Sequence, residues 1–322
     1  MKCVRLWGTR GSLPVSLTAD KVRAKVIAAL RGAAGRTFAT DSELEAYVDS
    51  LGMSGAGTYG GHSPCVEIDT GGPDLVLCDL GTGARPFGQT IMKRDGPRTP
   101  HTYHVFMSHV HWDHIMGFPF FTPAYIKGNR IRIYGGHAEL ETAFRRQQAV
   151  PSFPVDFSML AADIEFVRLE PAQTYDVAGM RVRLMLQRHA GDSYAYRFTS
   201  GGKTVVYSTD SEHKLTDLAE TERFVEFFRD ADVVIFDAMY SLADSISIKA
   251  DWGHSSNIVG VELCQMAGVG HLCLFHHEPV QSDEAIARVL SETQRYEELA
   301  RAGSKYKPLH VTAAYDGMEI SL

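Results

Sequence analysis

The seven residues Ser108-His109-Val110-His111-Trp112-Asp113-His114 constrain this chain more than any other stretch. Three imidazoles and a carboxylate within six residues are the nitrogen and oxygen donors that zinc takes, in a number that can serve two ions at once. The spacing predicts His109 and His111 on one face of a strand end, both reaching one Zn²⁺. Asp113 and His114 follow in the turn and can reach a second. Two such ions, about 3.5–4 Å apart, generate a hydroxide and clamp both oxygens of a displacement. A dinuclear site needs more ligands than this segment holds, so the fold must bring other strand ends to it.

Strand and helix patterns interleave along both halves of the chain. The N-terminal run Met1 to Trp7 is strand-like, and Cys65–Asp69 and Asp74–Asp79 flank Gly71-Gly72 as a hairpin. The second of these strands delivers Asp79-Leu80-Gly81-Thr82-Gly83 at its end. Further strands are predicted at 103–107, 131–134, 164–168, 180–187, 194–199, 204–208, 232–236 and 271–275, with helices near 137–149, 215–229, 255–267 and 282–301. This layout suits an α/β (α+β) architecture of two sheets packed face to face with helices on their outer sides.

Residues 16–57 interrupt the pattern. Leu17 to Arg31 carries Val22, Val26, Ile27 and Leu30 at helical spacing, and Asp41 to Leu51 reads as a second helix capped near Thr40 or Asp41. Such a pair reads as a packed excursion, with a dimer contact or a substrate lid as the other readings. No internal repeat, low-complexity tract or interdomain linker is visible. The chain therefore reads as a single domain, 1–322, with a helical insertion.

At 322 residues, 44% hydrophobic and 22% charged, the chain can bury a large core. It has no apolar run of about eighteen residues and no signal-peptide pattern, so a cytoplasmic protein without membrane association is expected. The five cysteines are odd in number and lack CxxC spacing, which predicts buried thiols rather than disulfides or thiolate zinc. A net charge of −7 without any basic block argues against a long polyanion as the main partner.

Polar residues closing downstream strands are candidates for the missing ligands. Arg188-His189-Ala190-Gly191 follows the apolar run 182–186, Tyr207-Ser208-Thr209-Asp210 closes another strand, and Leu272 to His276-His277 closes a third. Taken singly, each reads as a cap or surface residue; their shared position at strand C-termini makes them ligand candidates.

With these motifs the chain resembles the metallo-β-lactamase fold superfamily, in its ribonuclease Z-like phosphodiesterase branch, over almost its whole length outside 16–57. The resemblance implies a four-layer αβ/βα sandwich. It also implies His109, His111 and His189 as ligands of one zinc, Asp113, His114 and His276 as ligands of the other, and Asp210 as the carboxylate bridging both. Trp7-Gly8-Thr9-Arg10-Gly11-Ser12, Tyr59-Gly60-Gly61-His62-Ser63-Pro64-Cys65, and Asp237-Ala238-Met239-Tyr240 through Trp252-Gly253-His254-Ser255 resemble a group of small bacterial phosphodiesterases of that branch, with cyclic nucleotides among the implied substrates. His62 stands where relatives commonly carry Asn, and Ala190 where Pro often follows the histidine. His111 in place of Glu argues against the iron-containing oxygen-reducing relatives. Two Zn²⁺ per protomer, or Mn²⁺, are therefore expected. The segment 135–171 is too short for the long tRNA-binding arm of many ribonuclease Z enzymes.

The expected activity is hydrolysis of a small phosphodiester or nucleotide by a metal-bridged hydroxide, with Asp113, His254 and Asp237 as the catalytic set. His254 sits before a helix whose first turn offers Ser255, Ser256 and unpaired N–H groups, placing a proton donor for the leaving alkoxide beside an anion-binding helix end. By resemblance, Asp237 orients it. His277 reads as support, hydrogen-bonding a carboxylate. Trp112, Phe118, Phe120, Phe121 and Tyr125 are candidates to line an aromatic pocket for a base, with core packing favoured for at least half of them. The alternatives are a ribonuclease Z-like RNA 3′-end endonuclease, an acyl hydrolase acting on a lactone or related ester, and a noncatalytic nucleotide-binding sensor. A homodimer is expected.

Overall fold

In the computed structural model, residues 1–240 and 253–322 are described. The first sheet takes β1 (Cys3–Gly8), β2 (Cys65–Asp69), β3 (Leu75–Cys78), β4 (Thr102–Phe106), β5 (Arg130–Gly135) and β6 (Asp163–Arg168). The second takes β7 (Thr174–Val177), β8 (Met180–Gln187), β9 (Ser193–Ser200), β10 (Lys203–Ser208), β11 (Val233–Asp237), β12 (His271–Phe275) and β13 (His310–Ala313), and β14 (Glu319–Ser321) returns to the first. The strand orders are β14-β1-β2-β3-β4-β5-β6 and β13-β12-β11-β10-β9-β8-β7. Strands β3 to β6 run parallel, as do β10 to β13, while the remaining pairs are antiparallel.

Side-chain alternation along these strands makes two buried faces at once. Val205 and Tyr207 of β10 and Val233 and Ile235 of β11 point inward, where they meet Val4, Leu6, Val76 and Phe106 of the first sheet. Val206, Val234 and Phe236 point outward to a cluster with α7 (Leu218–Phe228) and α8 (Asn257–Ala267), with α9 (Asp283–Ala302) packed beside it. On the far side, Leu77, Tyr103, Val105, Ile131 and Ile133 pack under α4 (Ala84–Asp95), α5 (Trp112–Ile115) and α6 (Leu140–Gln147). The result is the expected four-layer αβ/βα sandwich. Each fully buried aromatic such as Phe87, Phe106 or Phe236 contributes about 1.5–3 kcal/mol.

The insertion holds α1 (Ala19–Gly32), α2 (Asp41–Ser50) and the single turn α3 (Gly52–Gly55). Thr18 and Thr40 cap the first two by accepting from the backbone N–H of Lys21 and Glu43. No residue of α1 is buried. Lys25 anchors it instead, its Nζ donating to Asp283 Oδ2 and to the Gly57 carbonyl, each at 2.7 Å.

Helix α4 has no counterpart in the predicted elements, and Pro86 and Gly88 lie within it, two residue types that disfavour a helix interior. Pro86 falls in the first turn, where its missing N–H has no intrahelical use. Gly88 is required by packing, since a Cβ there would lie 2.9 Å from Pro123 Cδ. The short strands β7, β13 and β14 also went unpredicted, and α6 is shorter than 137–149. All five cysteines are buried and free. No helix among the described residues is long and apolar enough to cross a membrane.

Candidate metal centre

The strand ends of both sheets open on one edge of the sandwich. From the first sheet come Asp79, one residue past β3, and the loop after β4 that leads into α5. From the second come His189 after β8, Asp210 after β10, Asp237 closing β11 and His276 after β12. His109 and His111 do not alternate along a strand as expected. Strand β4 ends at Phe106, and both lie in the following loop, with His111 immediately before α5. Alternation therefore does not aim them; Asp79 ties the loop down. Its Oδ1 accepts from the Ser108 N–H at 2.7 Å, and its Oδ2 accepts from Ser108 Oγ at 2.6 Å, Tyr207 Oη at 2.7 Å and His114 Nδ1 at 2.7 Å.

The seven ligand candidates fall into two groups, His109/His111/His189 and Asp113/His114/Asp210/His276, and within each group the ligand atoms lie within 4.8 Å of one another. Asp210 joins the groups. Its Oδ1 lies 3.8 Å from His109 Nε2 and 3.9 Å from His189 Nε2, whereas its Oδ2 lies 3.3 Å from His114 Nε2 and 3.2 Å from His276 Nε2. Asp113 Oδ2 completes the second group at 3.2 Å from His114 Nε2 and 3.3 Å from His276 Nε2.

Neighbouring groups fix the donors. His189 Nδ1 donates to the Gly253 carbonyl at 2.8 Å, turning Nε2 inward, where it sits 3.2 Å from His111 Nδ1. The Ser12 N–H donates to Asp113 Oδ2 at 2.8 Å. Gly11 must lack a side chain, because a Cβ would meet the His276 ring at 2.5 Å. Gln187 Nε2 donates to the Thr209 carbonyl at 2.7 Å, holding the β8 and β10 ends, and with them His189 and Asp210, in register.

Burial pushes His109 well below the usual histidine range, and burial together with neighbouring imidazoles lowers His111. Burial also lowers His189, against the pull of Asp210. These three imidazoles are neutral and keep their lone pairs. Burial opposes a charged His114, but Asp113, Asp210 and Asp79 outweigh it and raise its pKa well above that range. Asp113 and Asp210 are held low despite burial by the imidazoles around them. His109 Nε2 is buried without a hydrogen-bond partner, an orphan that a native fold satisfies with water or an ion. Lone pairs and carboxylate oxygens converging from two sheets fit two divalent cations of the zinc or manganese kind.

Asp237, fully buried, accepts from His254 Nδ1 at 2.8 Å through Oδ2, which also accepts from the Ser211 N–H at 3.1 Å. The His254 ring centroid lies 5.2 Å from those of His189 and His276. Helix α8, however, starts at Asn257, two residues later than predicted. Ser256 caps it by accepting from the Val259 N–H, and Ser255 Oγ donates to the Ser211 carbonyl. The expected open anion site at this helix end is thus partly filled by the chain itself.

Two other expectations change. His277 Nε2 bonds the Ala314 carbonyl at 2.8 Å, a backbone oxygen and not a carboxylate. Phe118 and Phe121 are wholly core, and Tyr125 is half-buried with its hydroxyl on the Pro119 carbonyl, while Trp112 and Phe120 remain exposed. Trp252 lies outside the described residues. Asp79 has no predicted role in the sequence; its one signal is a carboxylate closing an apolar strand one loop before the histidines. Gln187 and the Ser12 N–H gave no sequence signal.

Residues 75–277 match the profile of the beta-lactamase superfamily domain. The chain belongs to that family. As a member it is a metal-dependent hydrolase, similar to ribonuclease Z of Thermoplasma acidophilum, with 22% identity over 56% of this chain and 71% of that protein. It is also similar to the probable metallo-hydrolase YhfI of Bacillus subtilis, with 25% identity over 68% of this chain and 84% of that one. The crystal structure of YhfI superposes with a TM-score of 0.64, covering 100% of this chain and 99% of that chain at 18% identity. A diphosphatase from the PhnP family superposes at 0.59, covering 100% and 98%, also at 18% identity.

Proposed function

We propose that this metallo-hydrolase is a phosphodiesterase that uses two metal ions, zinc or manganese, on a small phosphodiester. The split Asp210 carboxylate carries the reading, since one oxygen faces each ligand group as a bridging ligand does. His109, His111 and His189 would hold one divalent cation and Asp113, His114 and His276 the other, and the pair would supply an activated water and neutralise phosphoryl oxygens. His254 holds a proton beside them. Its Nδ1 is tied to Asp237, so Nε2 is the atom that hands a proton to a departing alkoxide. A phosphodiester needs such an acid more than a lactone or thioester does, which favours phosphoester over acyl substrates. The names of the ribonuclease Z and diphosphatase relatives support phosphoester chemistry as well.

Turnover of bis(p-nitrophenyl) phosphate, cyclic nucleotides, a precursor tRNA and a lactone is compared for zinc-loaded and chelated protein. Metal-dependent hydrolysis of the small diesters is expected. Hydrolysis of the lactone alone would overturn the reading, and cleavage of precursor tRNA alone, with a steep fall in salt, would replace it with RNA processing.

A further inference from the structure

Helix α1 wears its apolar residues on the outside. Lys21, Ala24, Lys25 and Ala28 line a cavity of about 610 Å³ together with Arg10 and Asp283 of the sandwich, so this small and basic face looks inward. Val22, Val26 and Leu30 recur every four residues on the face turned away, and they are 47%, 53% and 67% exposed. A surface helix normally turns such a stripe to the core.

Helix α2 repeats the pattern with the opposite charge. Tyr47 is its one buried residue and donates from Oη to the Ala29 carbonyl, tying the two helices together, while Leu44 and Val48 are 44% and 47% exposed. Arg23 and Arg31 lie eight residues apart beside the α1 stripe, and Asp41, Glu45 and Asp49 span the same interval beside that of α2, about 12 Å in each helix. None of these five side chains makes an ion pair among the described residues. Charge and length match between the two helices, yet within one protomer they are not spent on each other.

We propose that the insertion is a contact between two copies of this chain, with α1 of one protomer packed on α2 of its partner and the reverse across a two-fold axis. Such a contact is self-complementary. Each copy brings one basic and one acidic helix, so the two-fold covers both apolar stripes and pairs Arg23 and Arg31 with Asp41, Glu45 and Asp49 twice over. A different partner would answer one helix only: an anionic lipid surface would attract α1 and be repelled by the carboxylates of α2. The insertion lies outside residues 75–277, which match the family profile, so this contact belongs to the chain's own addition. It stands independently of the phosphodiesterase reading.

Sedimentation velocity over a concentration series should show the parent protein passing from monomer to dimer. Arg23→Glu with Arg31→Glu, and separately Asp41→Lys with Asp49→Lys, should each weaken association at least about tenfold, because like charges then face each other. Mixed in equal amounts, the two variants should recover the dimer, since each supplies the sign the other lost. Val26→Asp should weaken association by a similar factor, as it buries an unpaired carboxylate. A parent that stays monomeric, a dimer that all three variants leave intact, or a mixture that does not recover would overturn the proposal. Amide exchange needs no variant. In the parent, residues 19–32 and 41–50 should exchange more slowly as concentration rises, and unchanged exchange there in a dimer would overturn the contact. Phosphatidylserine vesicles are run in parallel. Binding of monomeric parent that Val26→Asp abolishes would assign the stripe to a lipid surface instead.

Discussion

His114 Nδ1 and Asp79 Oδ2 meet at 2.7 Å inside the protein, both fully buried. That hydrogen bond fixes the tautomer that turns Nε2 toward Asp113 and Asp210 and would make the imidazole a stronger ligand for a bound ion. Asp79→Asn should keep the fold, since the amide oxygen can still accept from Ser108, but weaken binding of one ion about 10–100-fold. Chelator competition measures this, and unchanged affinity would show that Asp79 only supports the loop.

Asp210→Ala should remove the link between the two ligand groups, lower the metal content and abolish most activity. His277→Ala should keep its metals, because its ring bonds a backbone carbonyl, and should instead cost about 1–3 kcal/mol of stability for a buried acceptor left unpaired. Metal analysis and thermal unfolding separate the two. Matching metal losses would mean that the adjacent histidines 276 and 277 are exchanged in role.

His254→Ala should leave both ions bound and slow alkyl phosphodiesters about 10²–10⁴-fold more than p-nitrophenyl diesters, since nitrophenolate departs without a proton. Kinetics on matched substrates read this directly. An equal fall on both would make His254 a phosphate-binding or structural residue.

His213, whose imidazole is not among the ligand candidates, carries a pH dependence of its own. Its ring packs 4.0 Å from Phe224 and 5.3 Å from Phe236, measured between centroids, with neither nitrogen hydrogen-bonded. Burial lowers its pKa to about 3, against a weaker opposing pull from Asp237. The folded state thus keeps it neutral, and its contribution is complete above the unfolded pKa near 6.5. It is lost as pH falls from there toward 3, by about 2 kcal/mol at pH 5. His213→Phe removes this term, so the variant's Tm relative to the parent should be higher at pH 5 than at pH 8. An identical difference at both pH values would show the ring to be protonated or solvated in the fold.

The grouping of the ligand candidates was legible because they share strand C-termini. His189, Asp210 or His276 taken singly reads as a cap or surface residue, and only together, at one edge of the fold, do they form groups that could hold an ion. What aims them was not legible. His109 and His111 follow an irregular loop whose course depends on Asp79, thirty residues upstream of His109, and no local period records that dependence. Pro86 and Gly88 hid α4 for the same reason, because only the packing against Pro123 explains the glycine.

The centre draws its candidate ligands from both sheets, and each of the two groups takes side chains from both. Neither group is complete until the halves close on each other, so a substitution that parts the sheets would undo the site while leaving the strand pairing within each sheet intact.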